Sequence, residues 1–424
     1  VRRGLLLLAG ILAAGPACAQ SVPTAASFLD AQSVNIHWTY NGTAYELRDL
    51  PGMMRYIGFA HARGENAIGA SPTQLARYKA LAASGVKWSI TYFWQSRSID
   101  DDIEAAENLQ RIAPGSLEAI EGQNECDGNP ADYRFAGHVG FDGCVAYQKA
   151  LYTAVKADRK LAGLLVYNAS LTMGSSKTFP DMTGVSDRAT GHVYFATLPA
   201  IVGLRNQLPK IAASADHPVV MTESGYADGA EPSFPYWVSQ TAEASYQLEA
   251  SLDAFAMRVN GAPVRLYKYE LVDEHADNPP TDHEFHFGLF NYDGSPKPVA
   301  TAYHNLAAIL SDPTPGANPA PPPAFSLGAL PQDGNRMLLA KSHAYDLVVW
   351  PNVSVYDFTV TPRRDIVVRP QPVRLDLGAA YPEVRVFDPV HGVAPIATYA
   401  NQRVISLPLA GSPLVVEIGT ASAS

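Results

Sequence analysis

The sequence predicts a (β/α)8 TIM barrel (α/β class) followed by a C-terminal antiparallel β-sandwich. Three observations carry that expectation. Eight short apolar runs alternate with helical patterns between residues 33 and 311. Two of those runs end in glutamates, Glu125 and Glu223, each followed at once by turn residues. A proline-rich stretch then interrupts the chain, and short Val-, Leu- and Ile-rich runs replace the alternation.

The strand candidates are 33–38, 56–63, 86–94, 117–125, 164–170, 189–195, 218–226 and 264–273. Helical patterns fall at 73–84, 100–112, 145–160, 198–214, 236–260 and 299–310. Ser71-Pro72 supplies an N-cap and a proline start for the first of these. The acidic run Asp100-Asp101-Asp102 suits the positive end of a helix dipole. Strands alternating with helices fit either a closed parallel barrel or a doubly wound open sheet. No glycine-rich phosphate loop follows the first strand, which removes the usual ligand site of the open sheet.

The barrel is assigned residues 20–311 and the linker 312–324, whose prolines favour an extended spacer. Residues 325–420 carry runs at 337–340, 346–350, 365–369, 373–377, 383–387, 403–407 and 414–418, separated by turn residues. That texture reads as a sandwich of roughly seven strands. The N-terminus reads as a signal peptide over 1–19: Arg2-Arg3, an apolar run, then Ala17-Cys18-Ala19 as the cleavage site. The apolar run is too short for a membrane span. Gly15-Pro16-Ala17 matches a lipoprotein motif at Cys18 poorly. The expected location is secreted or periplasmic.

The formal net charge is −10, from 31 basic and 41 acidic residues, and no long basic run is present. That argues against nucleic-acid binding. Export permits disulfides. Beyond the leader only Cys126 and Cys144 remain, and a single bridge between them is favoured over two free thiols. It would close the loop directly after Glu125.

A carboxylate at the C-terminal tip of a buried parallel strand faces the mouth of a barrel. Two carboxylates there are what cleavage of a glycosidic bond needs. The fourth run ends Glu121-Gly122-Gln123-Asn124-Glu125, and the seventh carries Thr222-Glu223-Ser224-Gly225. This pairing resembles clan A of the glycoside hydrolases, with families 5 and 39 the nearest textures. The segment from His286 to Pro298 also looks like the end of such barrels.

The resemblance implies a retaining glycosidase acting on β-linked oligo- or polysaccharides. Glu223 would be the nucleophile, Glu125 the acid/base, and Asn124 a partner of the sugar 2-hydroxyl. Arg63 would lie near the nucleophile, and His192 and Tyr194 would bond the nucleophile or the substrate. Other expected substrate contacts at strand tips are His37, Trp38, Asn168 and Glu270, with Trp94 as a stacking platform. The clan often places tryptophan on strand eight; this chain has Tyr269-Glu270 instead. No metal or cofactor is expected. Glu121 is read as a structural partner for a buried cation, and a calcium at Asp277 or Asp282 stays open. An inverting hydrolase and a non-catalytic carbohydrate-binding scaffold are the rival readings. The sequence sets neither the sugar, the linkage nor the oligomeric state.

Overall fold

The structure is a computed structural model that describes residues 22–93, 98–128, 133–173, 179–229, 234–312 and 320–420. The expected signal peptide and most of the expected linker lie outside those residues. Eight parallel strands form the first sheet: β1 (Gln32–Asn35), β2 (His61–Glu65), β3 (Lys87–Tyr92), β4 (Leu117–Gln123), β5 (Leu165–Tyr167), β6 (Ala189–Tyr194), β7 (Val219–Gly225) and β8 (Arg265–Lys268). Each pairs with its successor in the chain except β5 with β6, and β8 returns to β1. A parallel bridge from Tyr167 to Arg188 closes the remaining gap. The barrel is therefore complete, and every strand tip after β2, β4 and β7 opens on one mouth.

Around it lie α1 (Leu50–Ile57), α2 (Pro72–Ala83), α3 (Ile99–Ile112), α4 (Phe141–Ala157), α5 (Ala200–Ala212), α6 (Gln240–Ala256) and α7 (Pro298–Leu310). Ser71 and Gln74 form a reciprocal capping box at the start of α2. Ser98 caps α3, and the three aspartates fall in its first turn. Among the described residues between β5 and β6, the one helical element is the short 3-10 turn Thr183–Val185.

Residues 56–60, expected as the start of a strand, belong to α1 and its exit. Leu50, Met53, Met54 and Ile57 are buried at helical spacing, Asp49 caps the N-terminus, and Gly58 ends the helix at φ 74°. The apolar run Tyr56-Ile57-Gly58-Phe59 had the texture of a strand because the helix and the strand after it share one buried flank.

The second sheet is antiparallel: β9 (Ser326–Leu327), β10 (Asn335–Ala340), β11 (Ala344–Trp350), β12 (Gln371–Phe387), β13 (Pro395–Leu409) and β14 (Leu414–Gly419). The runs 373–377 and 383–387 are one long strand, not two. Its ladder with β13 shifts register between Asp376 and Tyr381, and Gly378 sits there at φ 75°. The bend lets one sheet supply both layers. Val373, Leu375 and Leu377 share a buried cluster with Val384, Val386, Val416 and Ile418. The expected strand at 365–369 is reduced to Arg364–Asp365.

Helix α6 is buried on nearly all sides because it lies between barrel and β domain. Trp350 Nε1 donates to Asp253 Oδ1 at 2.8 Å, and the Val355 amide donates to the Tyr246 hydroxyl at 2.9 Å. Trp350, Val355 and Tyr356 join the same hydrophobic cluster as the barrel.

Candidate active site

Strand β2 reads His61-Ala62-Arg63-Gly64-Glu65, polar yet buried throughout. Period-two alternation sends Arg63 and Glu65 inward while Ala62 and Gly64 face the helices. Arg63 is the hub of the barrel's upper interior. Its Nε donates to Glu121, Nη1 donates to Asn35 Oδ1 at 3.0 Å and to Glu223 Oε1 at 2.8 Å, and Nη2 donates to Asn124 Oδ1 at 2.6 Å. Glu121 also accepts from Thr222 Oγ1 at 2.9 Å. It is the buried cation's structural partner that its place in β4 implied.

Glu223 is set by β7 and Glu125 by the turn after β4. Gly225, two residues beyond Glu223, has no room for a side chain: a Cβ there would come within 2.5 Å of the Tyr269 carbonyl. Glycine thus lets the loop after β8 close against β7 beside the site. Glu125 takes a left-handed backbone at φ 42°, and its amide donates to Ser170 Oγ at 3.3 Å. The next residue, Cys126, is bonded to Cys144 on α4 with a Cα separation of 6.1 Å.

His192 lies between the two glutamates. Its Nδ1 is 2.7 Å from Glu125 Oε1 and 3.4 Å from Glu223 Oε2. These three ligand-capable atoms all lie within 4.8 Å of one another. The Tyr194 hydroxyl donates to Glu223 Oε2 at 2.7 Å. Burial works to raise the Glu223 pKa, but the charges of His192 and Arg63 and the hydrogen bonds from Tyr194 and Arg63 outweigh it, so the net direction is down. For His192, burial works downward, while Glu223 and Glu125 raise it and prevail. Tyr194 is held well above its ordinary value by burial and then by the Glu223 charge. Glu223 is thus an anion, and Tyr194 a neutral donor to it.

A cavity of ≈ 710 Å³ opens above this group, within the usual size range of small-molecule sites. Asn124, Glu125, Tyr194, Glu223, His37 and Arg63 line it. Asn124 commits its carbonyl to Arg63, which leaves the amide N–H groups for a ligand.

Three sequence expectations change. Trp38 is fully buried; its Nε1 donates to the Glu65 carbonyl at 2.9 Å and its ring meets Tyr78. It does not reach the cavity that His37 lines. Asn168 is enclosed between β5 and β6, donating to Ser214 Oγ at 2.9 Å and accepting from the Thr190 amide at 2.7 Å. Glu270 is buried beneath the cavity wall, accepting from the Tyr45 hydroxyl, with His37 Nε2 3.4 Å away. Burial holds its pKa well above the ordinary carboxyl range. His192 has no exposed side-chain surface and touches the two glutamates; of the two contacts expected of it, the structure has the one with Glu223. Trp94 lies outside the described residues.

Sequence reasoning missed Tyr40, Glu65, Phe234, Tyr236 and Glu284, all on the cavity. Glu65 could have been found, since it is two residues after Arg63 on one strand. Its carboxylate bonds His37, whose pKa is raised to about 9: burial acts downward, but Glu65 and then Glu270 prevail. Tyr269 stands on the cavity where a strand-eight aromatic was sought.

Among the described residues two other groups could hold a metal by spacing, and each already contains a cation. His37 sits with Glu270 and Glu274. Beside Asp228, Asp273 and His286, the Lys297 ammonium lies 2.8 Å from both aspartates. Asp277 accepts from the amides of Thr281 and Asp282 and organises its own loop.

No protein-family model matches the chain, and no curated protein sequence matches it. Solved structures do. An active-site mutant of Rhizomucor miehei β-1,3-glucanosyltransferase in complex with laminaritriose is 14% identical, covers 63% of this chain and 96% of its own, and has a TM-score of 0.47. Bacteroides uniformis β-glucuronidase is 12% identical, covering 92% of this chain and 46% of its own at a TM-score of 0.46. A GH5_18 protein of Bifidobacterium longum in complex with Manβ1-4GlcNAc is 14% identical, covering 68% of this chain and 80% of its own at 0.45. The chain spans about half the length of the β-glucuronidase.

Proposed function

We propose that this protein is an exported retaining glycoside hydrolase that cleaves β-linked glycans by double displacement. The observation that carries the reading is the pair Glu125 and Glu223, with oxygens within 4.8 Å of each other at the floor of one cavity. Retaining enzymes hold their carboxyls about 5–5.5 Å apart, whereas inverting ones need about 6.5–9.5 Å to admit a water.

In the first step a Glu223 oxygen attacks the anomeric carbon as the bond to the leaving oxygen breaks. Glu125 gives its proton to that oxygen, and a glycosyl ester forms on Glu223. In the second step Glu125 takes a proton from water, the hydroxide oxygen attacks the anomeric carbon, and the ester bond to Glu223 breaks. Arg63 and Tyr194 keep the nucleophile ionised and aimed. His192 Nδ1 bonds Glu125 at 2.7 Å and lies 3.4 Å from Glu223, so it fixes the acid/base beside the nucleophile. Asn124 presents its amide toward the sugar 2-hydroxyl, a contact that strengthens in the transition state.

The test is the anomeric configuration of the first-formed product, followed by proton NMR on whichever β-linked glycan or aryl β-glycoside is turned over. The β anomer appearing first supports double displacement. The α anomer appearing first contradicts it, and an intact panel of substrates contradicts the hydrolase reading altogether.

A further inference from the structure

The loop between β7 and α6 contributes Phe234 and Tyr236 to the cavity wall. Tyr236 is 55% exposed, although it lines the same cavity as the buried Glu223. Phe234 stacks on His283, with ring centroids 3.7 Å apart and planes 8° apart. It also meets Tyr236 edge-on at 5.6 Å. The result is a small aromatic wall whose outer ring, Tyr236, is open.

The far side of this loop is held by the β domain. Arg363 Nη1 donates to the Pro235 carbonyl at 2.7 Å, between the two aromatics in sequence. The same guanidinium lies over Trp237, 4.9 Å from the ring centroid, and Trp237 meets Tyr356 at 5.9 Å. Ser239 donates to Asp365. The strands Tyr356–Asp357 and Arg364–Asp365 that carry these groups form a two-stranded sheet with each other. Trp237 therefore faces the β domain, and the ring that meets the cavity is its neighbour.

We propose that Tyr236, backed by Phe234, is a binding platform for a second pyranose of the glycan chain, and that Arg363 of the β domain is the positioning residue that holds it. This rests on the glycosidase reading. An aromatic face suits the apolar C–H face of a sugar ring, and Tyr236 adds contact area at little conformational cost. The platform is continuous with the cavity above Glu223, so a sugar on it belongs to the chain being cleaved. The β domain thereby shapes substrate choice without touching substrate.

The experiment compares two substrates of the same β-linked sugar: a trisaccharide, and the β-glycosyl fluoride, which offers one ring only. Tyr236→Ala should lower kcat/KM on the trisaccharide about tenfold, mainly through KM. It should leave the fluoride within about twofold. Tyr236→Phe keeps the face and should keep activity on both. Arg363→Ala should shift the trisaccharide in the same direction with the fluoride unchanged, and Arg363→Lys should recover part of the loss. Equal losses on both substrates, or no change on either, would overturn the proposal while leaving the hydrolase reading intact. A wild-type protein that turns over neither substrate sinks both.

Discussion

His192 Nδ1 lies 3.4 Å from Glu223 Oε2 while bonded at 2.7 Å to Glu125 Oε1, so one buried imidazole touches both carboxylates. The charge it carries helps depress the Glu223 pKa against burial, which alone would raise it. Replacing His192 by Gln removes that charge, so the Glu223 pKa rises. The acid limb of the kcat/KM profile should then move to higher pH, with a lower plateau. An unmoved acid limb would separate His192 from the state of the nucleophile.

The Arg63 hub supports a stability prediction. Arg63→Met leaves Glu121 and Glu223, both buried, without their shared cation. Breaking a buried ion pair costs about 3–5 kcal/mol. Chemical denaturation should show a loss of that order together with loss of turnover. A variant of unchanged midpoint would mean that the hub contributes little to folding.

The Cys126–Cys144 bridge closes the loop that begins at Glu125. A closed loop of this length stabilises by on the order of 3 kcal/mol in the chain-entropy model. The double Cys126→Ala, Cys144→Ala variant should unfold at lower temperature. Its kcat should fall too, because the residue beside the bridge is the one proposed to move the proton. Calorimetry and initial rates with and without reductant check both.

Asp253 gives a pH-dependent term at the junction of barrel and β domain. Burial raises its carboxyl to about 6, partly offset by hydrogen bonds from Trp350 and Asn352. The folded state therefore binds this proton more tightly than the unfolded state. Stability from this group is full below about pH 4 and is lost as pH rises to about 6. The two-unit shift is worth on the order of 3 kcal/mol. Asp253→Asn keeps an acceptor for Trp350 and should flatten the fall in melting temperature between those pH values. A slope identical to the wild type would place the proton elsewhere.

The barrel was legible because most of its buried strands sit in short apolar runs and the helices between them repeat on a longer period. The two glutamates were legible for the same reason: a carboxylate closing such a run has one place to go. What failed was the direction of side chains just past the strand tips. His37 and Trp38 are adjacent, as are Tyr269 and Glu270, and each pair lies beyond the end of its strand, where period-two alternation no longer sets direction. The structure admits His37 and Tyr269 and encloses Trp38 and Glu270. Tyr236 and Phe234 were out of reach by periodicity. Their loop has no repeat of its own, and contacts with the β domain, more than a hundred residues later in the chain, set its position.

The most direct measurement is turnover by Glu125→Ala in the presence of sodium azide. The account predicts a slow variant, slowed least for substrates with a good leaving group, whose rate rises with azide and whose product is the β-glycosyl azide. Azide would attack the ester on Glu223 without the base that water requires. Wild-type rates on an unactivated glycoside, or an α-glycosyl azide, would contradict it.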